Sequence, residues 1–157
     1  MDGIRYRQME YGQVFKHDSL MLNCRFHKLI CNQYELNIEP DGELMAYSRG
    51  RQPGAYSRSW NGIKTVYFPV NHLKKHWILL AAQIEDRRID VYDNIGTHGI
   101  TDFELDVMMI PYVHMIPKMV HRCLPLPTKV LELYTAEFSF KRVCGLPLTK
   151  RYELQSI

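Results

Sequence analysis

The chain has no apolar run approaching the ~20 residues needed to span a bilayer. Met1-Asp2-Gly3-Ile4-Arg5 opens no signal-peptide stretch. The expectation is therefore an intracellular chain, nuclear or cytoplasmic, whose thiols stay reduced. There is no Cys-x-x-Cys pair. Cys24, His27 and Cys31 are close in sequence, but a structural zinc site needs four ligands and the second closely spaced pair is missing, so no metal is expected. Low-complexity tracts and repeats of solenoid period are absent. A stripe of clustered Lys and Arg is also absent; the short pairs Lys74-Lys75 and Arg87-Arg88 read as solvated surface, so no nucleic-acid partner is expected. No membrane partner is expected either.

What is present is a chain of 157 residues, 46% hydrophobic, with a formal net charge of +3. That length suits one domain, 1–157, and that apolar fraction suits a packed core. The first 35 residues suggest a short helix near Ile4–Tyr11 and another after Asp18, with Asp18-Ser19 as its N-cap. Residues 38–63 are dense in turn signals, namely Pro40-Asp41-Gly42, Ser48-Arg49-Gly50, Pro53-Gly54 and Asn61-Gly62, and predict a long loop.

The texture then changes. Lys64–Val70 is β-branched and aromatic and predicts a strand. Trp77–Ile84 is a nearly continuous apolar run, as in a strand buried on both faces. Arg88–Tyr92 alternates, and the short polar link Glu85–Arg88 predicts an antiparallel hairpin. Thr101 followed by Glu104 is a capping box that opens a helix. Pro111 and Pro117 inside its apolar periodicity predict a kink or two shorter helices. Ala136–Val143 predicts a further strand, and Gly145–Ile157 no element. Helix, loop, central strands, helix and strand together give an α+β fold.

His76 stands at the entrance of the buried strand and Asp93 at the exit of the next. In a hairpin the two ends of such a segment are brought to the same edge of the sheet. An Asp beside a His fixes its tautomer and stabilises its imidazolium, which a nucleophile-activating base requires. A structural His–Asp pair would show the same spacing.

The run VYFPVNHLKKHWILLAAQIEDRRIDVYDNI, from Val66 to Ile95, resembles the central block of the ubiquitin-like-protein-specific (SUMO/sentrin-type) cysteine protease family. That block is an apolar strand ending Pro-Val-Asn, a variable loop, His-Trp, an apolar strand, a polar turn and Tyr-Asp-Ser/Asn. The segments MDGIRYRQM, GRQPGAYSRSW, MMIPYVHMIPKMV and FSFKRVCGLP resemble further parts of the plant, transposon-associated branch of that family. The resemblance implies a papain-like cysteine proteinase fold, here incomplete, with central antiparallel strands flanked by helices. It implies a peptidase acting on peptide or isopeptide bonds after the C-terminal Gly-Gly of SUMO-type modifiers. It implies His76 as the base, Asp93 as the residue that orients it, and Trp77 as an aromatic lid over the Gly-Gly tail. It implies a SUMO-type protein or its conjugates as partner, and no cofactor.

The resemblance also marks departures. The family's nucleophile, a Cys at the start of a long helix, would fall near Leu154-Gln155, where no Cys stands, and the family's opening Trp would precede Met1. The expectation is thus a domain truncated at both ends, either without its nucleophile or using Cys144. Cys144 has the right order after His76 and Asp93 and basic neighbours in Lys141-Arg142, but Val143 stands where the family has Asp. A non-catalytic remnant that binds a ubiquitin-like protein is the alternative.

Overall fold

The computed structural model describes residues 18–52, 54, 57–94, 99–123 and 136–145. In chain order it contains β1 (Ser19–Met21), α1 (Arg25–Glu35), α2 (Gly42–Ser48), β2 (Thr65–His72), β3 (His76–Gln83), β4 (Arg88–Tyr92), α3 (Asp102–Cys123) and β5 (Ser139–Arg142). The strands form one five-stranded sheet in the order β1-β2-β3-β4-β5. The central pairs β2–β3 and β3–β4 are antiparallel, while the outer pairs β1–β2 and β4–β5 are parallel.

Strand alternation divides the sheet into two faces. Val66, Phe68 and Val70 of β2 lie opposite Ala82, Leu80 and Ile78 of β3, and Ile89 and Val91 of β4 continue that layer. All of these side chains are buried. They face the helices: the Phe26 ring of α1 sits 5.0 Å from Phe68, and Phe68 sits 5.5 Å from Tyr112 of α3. Tyr47 of α2 and Trp60 complete the cluster at 5.2 and 6.0 Å from Phe26. Edge-to-face and tilted ring contacts of this kind add to the burial of their large apolar area. Trp60, with none of its surface exposed, is therefore a core residue. The other face carries Thr65, Gln83 and Asp90, joined in a chain: Thr65 Oγ1 donates to Gln83 at 2.7 Å and Gln83 Nε2 to Asp90 at 3.2 Å. Arg88 Nε closes it on Asp90 at 2.7 Å.

Three sequence expectations are corrected. Asp18-Ser19 does not cap a helix: Ser19–Met21 is a strand parallel to β2, and α1 begins only at Arg25, with Cys24 at its N-cap and no side-chain cap. Residues 38–63 are not all loop. Asp41 accepts a hydrogen bond from the Gly42 N–H and starts the short helix α2, so the Pro-Asp-Gly turn signal was an N-cap. Of the two outcomes expected for the proline-containing stretch, a kink or two shorter helices, the second does not hold: Asp102–Cys123 is one helix of 22 residues containing both prolines. Pro117 lacks the N–H that would bond the Val113 carbonyl, and the Phe138 N–H, leading into β5, takes that carbonyl at 3.1 Å. The carbonyl released by Pro111 is on Val107, an exposed residue. The capping box holds as read: Thr101 Oγ1 accepts from the Glu104 N–H, and Glu104 accepts from the Thr101 N–H at 2.8 Å. The helix expected at Ile4–Tyr11, and the residues after Gly145, lie outside the described residues.

The four cysteines are free thiols. Cys31 packs 3.6 Å from the Tyr112 hydroxyl, and burial pushes its pKa up. A raised thiol pKa leaves less thiolate at a given pH, and thiolate is the reactive form. Iodoacetamide at about pH 8 should therefore label exposed Cys24 and Cys144 at least about tenfold faster than Cys31. Equal rates, read by peptide mass spectrometry, would contradict this packing.

Candidate active site

His72 and His76 are paired directly across the β2–β3 ladder, with a tight turn between them closed by the Lys75 N–H on the His72 carbonyl at 2.9 Å. By parity both imidazoles project to the helix side of the sheet. Their rings meet edge to face at 5.6 Å. Asp93 follows β4 on the same face and at the same end, because β3 and β4 are antiparallel. The geometry brings His76 Nε2 to 3.8 Å from Asp93 Oδ2. The spacing argument for these two residues is thus realised in space. At 3.8 Å this is an ion-pair contact and not yet a hydrogen bond. Among the described residues His76 Nε2 has no hydrogen-bond partner. Such contacts in unliganded centres commonly shorten once substrate is bound.

The Asp93 side chain is only 1% exposed, so its carboxylate requires compensation within the fold. Ile100 N–H donates to Oδ2 at 3.1 Å, and Arg142 Nη1 lies 3.4 Å from the same oxygen. Arg142 also donates through Nη2 to the Ile100 carbonyl at 2.8 Å and reaches Asp102 at 3.3 Å. One guanidinium therefore ties β5, the residues before α3 and the carboxylate together. Sequence reasoning treated Arg142 only as a neighbour of Cys144. Its signal was parity: Phe138, Phe140 and Arg142 alternate inward, and a cation at an apolar-facing position needs a buried anion.

Trp77 projects from the opposite face, across from Asn71, and is 56% exposed. It is not a core aromatic. An exposed indole next to His76 in sequence is a surface that can cover a ligand. Cys144, also exposed, lies just beyond β5. Since β5 runs parallel to β4, it leaves the sheet at the end that holds His76 and Asp93. Among the described residues no group of three or more His, Cys, Asp or Glu is placed to hold a metal ion.

The Ulp1 protease family, C-terminal catalytic domain, matches residues 41–151. Among solved structures, the C-terminal Ulp1 protease domain in complex with Smt3, the yeast ortholog of SUMO, aligns with a TM-score of 0.54 at 14% identity, covering 94% of this chain and 56% of that one. SUMO protease Ulp1 with its catalytic cysteine oxidized to a sulfenic acid aligns at 0.51 and 11% identity, covering 85% and 50%. At these identities the likeness is one of fold. The chain spans about half the length of the solved structures it matches. No curated protein matches it.

Two outcomes follow from the site. A Cβ on Gly99 would lie 2.4 Å from Asp93 Oδ2, so Gly99→Ala must displace the carboxylate and should destabilise the fold by about 1–3 kcal/mol. Denaturant melts check this, and an unchanged midpoint would show that the 99–102 segment does not hold Asp93. The second concerns pH. Burial, then the neighbouring Lys28, lowers the His27 pKa from its ordinary 6.5. Burial, then His76, does the same for His72. Just below 6.5 the unfolded chain binds more protons than the folded one, so stability falls as pH drops through that value. The urea midpoint should be lower at about pH 5.5 than at about pH 7.5, and His27→Gln combined with His72→Gln should narrow the gap. A gap left untouched by both substitutions would refute the assignment.

Proposed function

Because this chain belongs to the Ulp1 protease family, matching its C-terminal catalytic domain, we propose that it carries the acid–base half of a cysteine peptidase centre specific for the Gly-Gly tail of SUMO-type modifiers. The observation that carries the reading is the His76–Asp93 contact of 3.8 Å with exposed Trp77 beside it. In this reading a thiolate attacks the carbonyl of the terminal glycine. His76 accepts the thiol proton and returns it to the departing amine, so that the peptide or isopeptide bond breaks as a thioester forms; water, deprotonated by His76, then cleaves the thioester, releasing the glycine carboxylate and the thiol. Asp93, fixed by Ile100 and Arg142, orients the imidazole and stabilises its charged form. The Trp77 indole lies over the tail, and a flat lid admits residues without a Cβ. We further propose, from the resemblance of the segments flanking the central block, that the chain is of the plant, transposon-associated branch.

The thiol is the open position. By resemblance it belongs near Leu154-Gln155, and neither residue is a nucleophile. Cys144 is the candidate that shares the sheet end with His76 and Asp93. The second reading, a non-catalytic binder of ubiquitin-like proteins, is favoured by the same sequence observation and keeps the role of Trp77.

The experiment is incubation of the chain with SUMO carrying a thiol-reactive C-terminus, alongside calorimetric binding of unmodified SUMO. An adduct that maps to Cys144 establishes a peptidase with that nucleophile. Binding without an adduct establishes the non-catalytic reading, and Trp77→Ala should then weaken affinity by about thirtyfold or more, as expected for a Trp at the centre of an interface. If a folded sample neither reacts nor binds, the proposal fails.

A further inference from the structure

Next to the two imidazoles, on the helix side of the sheet, lies a groove of about 300 Å³ lined by His72, Leu73, Phe103, Glu104, Val107 and Met108. Its walls are apolar, yet they are open to solvent: Leu73 is 64% exposed, Phe103 77% and Val107 53%. Phe103 and Val107 lie one turn apart on the outer side of α3. Leu73 forms the other lip. It and Lys74 hold φ values of 50° and 58°, a left-handed conformation that side chains with a Cβ seldom adopt. The turn thus keeps an apolar side chain in water at the mouth of the groove, and strain of this kind gathers at ligand-binding positions.

The polar lining is one-signed. The Thr101 N–H and hydroxyl donate to Glu104 and hold its carboxyl below the usual range, so it is ionised at neutral pH. His72 is shifted down by burial and by His76 and is neutral there. Apolar walls with a single anion fit a side chain with an aliphatic stem and a cationic head. Position adds the second argument. Trp77 and His76 point to opposite faces of β3. A tail that lies under Trp77 and presents its scissile bond to His76 must pass the end of the sheet and continue on the helix side, where the groove opens beside His72.

We propose that this groove is the subsite for a Lys or Arg side chain of the substrate just beyond the scissile bond, an inference that rests on the peptidase-type reading of the His76–Asp93–Trp77 site. Glu104 takes the cationic head, and Leu73, Phe103 and Val107 take the stem. The groove therefore selects the leaving group, whereas Trp77 selects the modifier tail.

The test uses the full chain with methyl labels and two probes, the amides of Gly-Gly-Arg and Gly-Gly-Glu. Gly-Gly-Arg should shift the Leu73, Val107 and Met108 methyls, with an affinity about tenfold above that of Gly-Gly-Glu. Glu104→Gln keeps the capping geometry and should abolish the preference. SUMO extended past its Gly-Gly by one Arg should likewise bind about tenfold more tightly than SUMO extended by one Glu. The proposal is overturned by equal peptide responses, by no response at these methyls, or by a preference that survives Glu104→Gln. If extended SUMO shows no preference while the peptides do, the groove is not continuous with the tail site and the proposal is overturned as well. SUMO that fails to bind in every form, with the peptide preference intact, overturns the peptidase reading and not the groove's chemistry.

Discussion

A carboxylate that is almost wholly removed from water sets the terms for the rest of this structure. Asp93 must be compensated, and the described residues that do so arrive from different parts of the chain: the Ile100 N–H from the lead into α3 donates to it, Arg142 reaches it from β5, and His76 of β3 lies in ion-pair range. A buried anion stripped of one partner is costly, commonly by several kcal/mol. The constraint therefore fixes where β5 ends, how closely Gly99 must pass and which way His76 faces. The near absence of room at Gly99 is the same constraint seen from the backbone side. Fold and candidate chemistry share one set of contacts here, so the site is not an addition to a finished scaffold.

What could be read from the sequence was what depends on short-range periodicity. Strands β2 to β4 and the hairpin between β3 and β4 follow from alternation and a polar link, and their ends fall within two residues of expectation. The meeting of His76 and Asp93 follows from the same local geometry, since a hairpin converts similar strand lengths into spatial proximity. The exposed position of Trp77 could not be read, because a Trp within an apolar run has the same local signature whether it faces the core or solvent. β1 was invisible for a different reason. Three residues that pair in parallel with a strand far along the chain carry no pattern of their own, and Asp18-Ser19 ahead of them imitates a helix cap. Pro40-Asp41-Gly42 shows the reverse ambiguity, since Asp serves turns and helix starts with the same side-chain oxygen. Arg142 escaped because its partner is 49 positions distant; only its inward parity betrays it.

Family membership and the position of His76, Trp77 and Asp93 converge on one end of the sheet, but they do so with different reach. Membership describes ancestry over residues 41–151, and likeness to solved SUMO proteases at 11–14% identity describes the path of the backbone. Neither supplies a thiol. The described residues place an imidazole, a buried carboxylate and an exposed indole there.

The proline at position 117 carries a consequence of its own. A short outer strand such as β5, four residues long and paired on one side, has little to stop it sliding by a residue along its neighbour. A slide of one residue would turn Arg142 to the wrong face and strand Asp93. By withholding an N–H, Pro117 leaves the inward Val113 acceptor vacant, and Phe138 fills it. The helix thereby acts as an index pin for a strand it never pairs with. A residue ordinarily counted as a helix breaker becomes the element that keeps a distant ion pair in register.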